Sequence, residues 1–253
     1  MSWADQRAAL IGAVAVVGVL GAIVVGPASE RPAALVVSGG VPAQAPAAVP
    51  PVALPAGPGV AAATPQDAYQ GWARRLSGPT GVPARALQAY AAAAAELAVE
   101  QPSCGLTWVT LAGIGRIESD HGRHGGRTLL ADGTPSSPIV GLPLDGGPDV
   151  AAIPDTDRGV LDGDTRWDRA VGPMQFIPST WARWGTDGDG NGVSDPQDLD
   201  DVAVAAGRYL CADDHDLTAG AGWWAAVLSY NASTAYAADV LANANAYAVR
   251  SRA

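Results

Sequence analysis

The chain has 253 residues, a formal net charge of −10 and 15 basic side chains, every one of them arginine. That length supports one good-sized core plus tails. The acidic balance, with no basic patch to neutralise phosphates, excludes nucleic acid as an expected partner.

Residues Ala8 to Gly26 form an uncharged apolar run preceded by Arg7. As a helix it would span roughly 28 Å, about the thickness of a bilayer's hydrocarbon core. Residues 1–26 therefore read either as a signal peptide, cleaved near Gly26–Ser29, or as a retained signal anchor. Both readings carry the rest of the chain out of the cytoplasm, and the second tethers it to the membrane. Residues 27–64 are rich in Pro, Ala, Val and Gly and have no aromatics. Such a segment cannot build a core and reads as a disordered, extended linker.

From residue 65 to 253 the composition is that of a folded domain. Thr64 precedes a helix expected over Pro65–Leu76. Pro83–Glu100 is alanine-rich and strongly helix-forming. Leu106–Asp120 has apolar residues at helical spacing. From His121 to about Trp167 the chain is Gly, Pro and Asp with no sustained period, too long for a mere connection, so a functional insertion or a mobile flap is expected. Further helices are expected at Pro178–Trp184, Asp198–Cys211, Gly222–Tyr230 and Ser233–Tyr247. No segment has a clear strand pattern, so the expected class is mainly α with long irregular loops. Cys104 precedes the third helix and Cys211 ends a later one. In an exported domain such a pair usually bridges, the alternative being two unrelated buried thiols.

The stretch LAGIGRIESDHGRHGG puts Glu118 at the end of an apolar helix. Leu111, Ile114 and Glu118 stand at i, i+3 and i+7 and share one face. Burial and the negative end of the helix dipole both disfavour a charged carboxylate there and push its pKa upward. A carboxylic acid held neutral near pH 7 suits general-acid cleavage of a glycosidic bond. Against this stands an idle, solvated last-turn glutamate. Asp120 faces elsewhere and helps end the helix. His121 and His124 read as exposed loop histidines rather than metal ligands.

Three later motifs carry chemistry. AVGPMQFIPSTW (Ala170–Trp181) joins a Gly-Pro turn to a Pro-started helix, and Gln175 either offers an amide to a cleft or caps backbone groups. LSYNASTAY (Leu228–Tyr236) sets Tyr230, Asn231 and Tyr236 around a helix break, as cleft residues or as packed tyrosines with satisfied hydroxyls. DGDGNGVSDPQD (Asp187–Asp198) fits an EF-hand calcium loop. Its ligands would be Asp187, Asp189, Asn191, the Val193 carbonyl, Asp195 and Asp198, with Gly192 at the sharp turn and Asp in place of Glu at position 12. A plain Asp/Gly turn is the alternative. A single extracytoplasmic ion would be structural, and no organic cofactor is expected.

In this order, the four motifs resemble the lytic murein transglycosylases, in particular the membrane-bound type B branch in the version found in high-GC Gram-positive bacteria. The resemblance covers residues 65 to 250. It implies a lysozyme-like α-rich fold, a monomer, and cleavage of the MurNAc–GlcNAc bond in peptidoglycan strands. It also implies that Glu118 is the lone acid/base, that Gln175, Tyr230, Asn231 and Tyr236 line the sugar cleft, and that Met174 and Phe176 shape its wall. With one carboxylate, the sugar supplies the nucleophile and the product is a 1,6-anhydro ring. The insertion departs from the branch pattern. Its eight aspartates, Asp132 through Asp168, leave open a muramidase with two carboxylates. A non-catalytic peptidoglycan-binding domain is the third reading.

Overall fold

A computed structural model describes residues 45–47, 64–147 and 150–252. The apolar N-terminal run and most of the Pro/Ala-rich segment lie outside the described residues. After a 3-10 turn at Pro65–Tyr69 come α1 (Gln70–Thr80), α2 (Ala84–Glu100) and α3 (Trp108–Ser119). A small antiparallel hairpin follows, β1 (Val140–Pro143) with β2 (Arg169–Val171). The chain then runs through α4 (Pro178–Trp184), α5 (Leu199–Leu210), α6 (Gly220–Tyr230) and α7 (Thr234–Arg250). The fold is mainly α, as expected. Among the described residues no helix is long and apolar enough to cross a membrane.

The centre is α2. Its alanines let other helices approach closely, and Ala86, Leu87, Ala89, Tyr90, Ala93 and Leu97 are all buried. It packs against α1, α3, α5 and the 3-10 turn, while α3 packs along α7. Leu111 and Ile114 on α3 are buried in the same core, so the expected face of that helix points inward. Cys104 and Cys211 form a disulfide across 107 residues of sequence, with Cα atoms 5.4 Å apart. A bridge closing so long a loop contributes on the order of 4 kcal/mol, mostly by restricting the unfolded chain.

Three expectations need correction. The linker is not wholly detached: Ala45 and Ala47 pack against the main core, and the Ala47 amide donates to Asn245 Oδ1 on α7 at 2.8 Å. The first helix runs on to Thr80, with Pro79 tolerated near its end and Gly81 capping it at φ 74°. The Gly/Pro/Asp-rich insertion is built rather than shapeless. It supplies β1, which pairs with β2 just beyond it, and Leu144, which joins Ala170 and Ile177 in a small satellite core. Its carboxylates hold the turns: Asp155 accepts from the amides of Asp157 and Gly159, Asp157 from those of Val160 and Leu161, and Asp164 from those of Arg166 and Trp167. Side-chain acceptors replace the backbone ladder that periodicity would have revealed.

Candidate active site

Glu118 is the penultimate residue of α3. The helix stops because Asp120 and His121 both take the left-handed conformation, at φ 52° and 58°. The Asp120 amide then returns to the Arg116 carbonyl at 3.1 Å and the His121 amide to that of Gly115 at 2.8 Å. Asp120 also pairs with Arg116 and Arg123, leaving cations at the negative end of the helix.

This reversal buries His121, contrary to the expected loop histidine. The side chain is 1% exposed. Its Nδ1 lies 3.1 Å from the Tyr90 hydroxyl and its Nε2 lies 3.2 Å from the Tyr247 hydroxyl. A neutral imidazole has one donor and one acceptor, which these two hydroxyls satisfy. Burial, then the Arg123 and Arg116 charges, push its pKa down to about 3. Gly115 is required here, because a Cβ would collide with the Tyr90 hydroxyl. His124 is exposed, as expected.

Glu118 itself is half-buried. Tyr236, in the first turn of α7, donates its hydroxyl to Glu118 Oε1 at 2.5 Å. Burial nevertheless raises the Glu118 pKa to about 7, against the lowering effect of that hydrogen bond. Dense protein around the carboxyl outweighs the residue's partial contact with solvent.

The other motifs converge on this point. Ser119 donates to the Pro173 carbonyl at 2.6 Å and accepts from the Gly122 amide at 2.8 Å, fastening the Gly172–Phe176 turn to the end of α3. Within that turn Val171 and Phe176 pair by two backbone hydrogen bonds. Gly172 sits at φ 76° with its α-carbon against the Pro196 carbonyl, where no side chain fits. Gln175 adopts φ 53° and donates Nε2 to the Gly172 carbonyl at 3.0 Å, yet stays partly exposed. It therefore caps backbone and also reaches the surface. Tyr230, at the end of α6, donates to the Met174 carbonyl at 2.6 Å. Asn231 is buried in the break between α6 and α7, and its Oδ1 accepts from the Ser233 amide at 3.0 Å. Met174 and Phe176 are 0% and 3% exposed, so they stand behind the turn in the core rather than on its surface. Phe176 meets Trp181 and Tyr230 edge-on.

All seven described carboxylates of the insertion accept local hydrogen bonds, Asp132 and Asp145 at turns and Asp168 from Thr156 among them. None has a hydrogen bond to the residues around Glu118.

The acidic loop is organised by its own side-chain acceptors. Asp187 accepts from the amides of Gly190, Asn191 and Gly192, Asp189 from that of Asn191, and Asn191 from that of Val193. Val193 is 59% exposed, and Asp195 accepts from the Gln197 amide. The expected last position, Asp198, groups with Asp189 and Asp200. Asp198 caps α5, accepting from the Asp200 amide at 2.8 Å. Asp201, fully buried in the first turn of α5, is the acid whose oxygen groups with those of Asp187 and Asp189 within 4.8 Å. It accepts from the Gly188 and Asp195 amides. Counting a twelve-residue loop stops three residues short of it. Burial first, and then neighbouring aspartates, raise Asp198 to about 7 and Asp201 to about 6.

With this geometry in place, one comparison is informative. Residues 162–227 match the family model of the transglycosylase SLT domain. The matched quarter of the chain runs from the insertion through the Gly172–Phe176 turn, α4, the acidic loop and α5 into α6. It leaves Glu118, Tyr230, Asn231 and Tyr236 outside. The SLT match supports a peptidoglycan-cleaving transglycosylase at the general level. No curated protein and no solved structure gives a significant match to the chain.

Proposed function

We propose that this protein is a lytic transglycosylase. It cleaves the β-1,4 bond between MurNAc and GlcNAc in peptidoglycan and leaves 1,6-anhydro-MurNAc ends, with Glu118 as the single acid/base. The observation that carries the reading is the Glu118 carboxyl itself. It ends an apolar helix, is raised to about 7, and is held by one tyrosine hydroxyl. Near neutral pH a large share of such a group is protonated and able to donate.

Glu118 gives its proton to the glycosidic oxygen as the C1–O bond breaks, and the GlcNAc hydroxyl leaves. The N-acetyl group of MurNAc assists at C1. The Glu118 carboxylate then takes the proton of the MurNAc 6-hydroxyl as O6 bonds to C1. The glutamate ends as it began, and no water is consumed. Tyr236 stays bonded to the carboxyl and stabilises its ionised interval. Gln175, Tyr230 and Asn231 shape the sugar cleft, with Met174 and Phe176 as its support. Two carboxylates are the usual requirement of a hydrolase. The described insertion aspartates are occupied by turn amides, which favours the one-carboxylate mechanism over a muramidase.

The acidic loop binds a structural calcium ion. Its donors are all oxygens, as a hard cation requires, and its buried acids are crowded without enough cations around them. Asp187, Asp189, Asn191, Val193, Asp195 and Asp201 would hold the ion, which supplies charge neutralisation and ties the loop to α5. The catalytic domain, residues 65–253, works outside the cytoplasm as a monomer, reaching peptidoglycan through the linker. Glu118→Gln tests the central assignment. It should fold normally by circular dichroism and lose about 10² to 10⁴ of the cleavage rate on purified sacculi. Undiminished digestion would remove Glu118 from the chemistry.

A further inference from the structure

Gln175 is held more firmly than a partly exposed side chain needs to be. Its backbone sits at φ 53°, a left-handed conformation that a residue with a Cβ seldom takes. Such strain persists only where the surroundings over-determine it, and it collects at functional sites. Its backbone amide and its Nε2 both donate to the Gly172 carbonyl, at 3.1 and 3.0 Å. The second bond fixes the orientation of the carboxamide, since a flipped side chain would set oxygen against oxygen.

The oxygen of that carboxamide lies against β1. A Cβ at Gly141 would stand 3.0 Å from Gln175 Oε1 and 3.3 Å from the Ala170 carbonyl, tighter than ordinary contact. Gly141 does not have a positive φ. Space, and not backbone conformation, therefore calls for glycine at this position. The strand is irregular here as well. Between the Val140–Val171 and Pro143–Arg169 pairs, Gly141 and Leu142 stand opposite Ala170 alone. A bulge bends its strand, and bulges are common beside active sites. This one is anchored. Arg169 donates to the Gly141 carbonyl through Nη1 at 3.2 Å and to Asp164 through Nε at 3.0 Å. The Gly172 amide donates to the Ile139 carbonyl at 2.9 Å, which ties the Gln175 turn to the residue before β1.

We propose that Gly141 is a positioning residue: its bare α-carbon on the β1 bulge seats the Gln175 carboxamide and sets where that group meets the glycan strand. This rests on the reading of Gln175 as a cleft residue of a transglycosylase. Gly141 acts through Gln175 and not on the reacting atoms. The Gly/Pro/Asp-rich insertion then has a task in the reaction. It brings a strand up behind the turn that Ser119 fastens next to Glu118.

Gly141→Val tests this, because a strand accepts valine while the seat is filled. In two-dimensional NMR of isotope-labelled full-length protein, the Gln175 side-chain amide pair is identified by its loss in Gln175→Ala. That pair should shift in Gly141→Val. On soluble glycan strands the variant should raise KM about tenfold, with a much smaller change in kcat. In a Gln175→Ala background, Gly141→Val should add little, since both changes remove the same contact. An unmoved amide pair overturns the proposal. A KM rise that persists in full on top of Gln175→Ala also overturns it, by showing a general disturbance of the hairpin. If the amide pair moves but neither single variant changes KM, Gln175 is outside the cleft and the proposal fails with that assignment. A wild-type chain that cleaves no glycan strand fails the transglycosylase reading itself, and the proposal with it. Should Gly141→Val not fold, Gly141→Ala decides by the same readings, with a KM rise of about twofold to threefold.

Discussion

The end of α3 and the Asp187–Asp201 loop both hold carboxyl groups above their ordinary pKa, but in different company. Glu118 stands alone, with one hydroxyl on it and no neighbouring carboxylate as a cause of its shift. Asp198 and Asp201 are raised by burial and by each other's surroundings, with Asp189 contributing to both. The difference teaches what each region can do. An isolated carboxyl raised by burial stores a proton, which it can donate and recover. A crowd of carboxylates on backbone amides stores unneutralised charge, which a cation relieves. The same desolvation raises a lone acid at the end of α3 and a group of acids at the start of α5.

Calcium should break the symmetry most strongly. Saturating the loop at one hundred times Kd should stabilise the domain by about 2.7 kcal/mol. The gain should be larger at pH 8 than at pH 5. The folded pKa values, about 7 and about 6, lie above the unfolded value of 3.8. Their contribution is therefore complete below pH 3.8 and lost as pH rises through 6 to 7 in the ion-free protein. Thermal melts with calcium and with a chelator at both pH values measure this. Identical melts would remove the ion.

His121 makes the reverse case, a base held neutral between Tyr90 and Tyr247. Its folded pKa, about 3, lies below the unfolded 6.5, so its contribution is present above pH 6.5 and lost as pH falls. At pH 5 the loss should be about 2 kcal/mol, and His121→Gln should flatten that part of the stability profile. Urea unfolding from pH 7 to 5 reads it directly. A wild-type profile with no acid slope would contradict a buried neutral imidazole.

Tyr236→Phe should have the smallest effect, about tenfold in turnover, or about 1.4 kcal/mol. It also sharpens the isolation of Glu118. The lost hydrogen bond lowers the pKa, so its removal should move the alkaline limb of activity to higher pH. A limb that does not move would separate the two residues in solution.

The helices were legible because alanine content and apolar spacing act locally, and the order of α2 to α7 follows from them. Glu118 was legible through its shared face with Leu111 and Ile114. What escaped depended on backbone geometry. Two consecutive left-handed residues turn His121 inward, and nothing in the letters DHG announces that. Asp201 escaped because it joins the loop acids from three residues beyond the counted frame. The β1–β2 hairpin escaped because Asp side chains, not strand periodicity, organise the insertion. Met174 and Phe176 are assigned to the cleft wall by the resemblance alone; the turn buries both in the core and leaves Gln175 between them partly exposed.

The most direct test of a lone carboxyl is the product it makes. Purified sacculi digested by the wild-type protein should yield muropeptides whose mass spectra carry 1,6-anhydro-MurNAc ends, with those ends lost in Glu118→Gln. Reducing MurNAc ends, one water heavier, would contradict the account and require a second group to activate water.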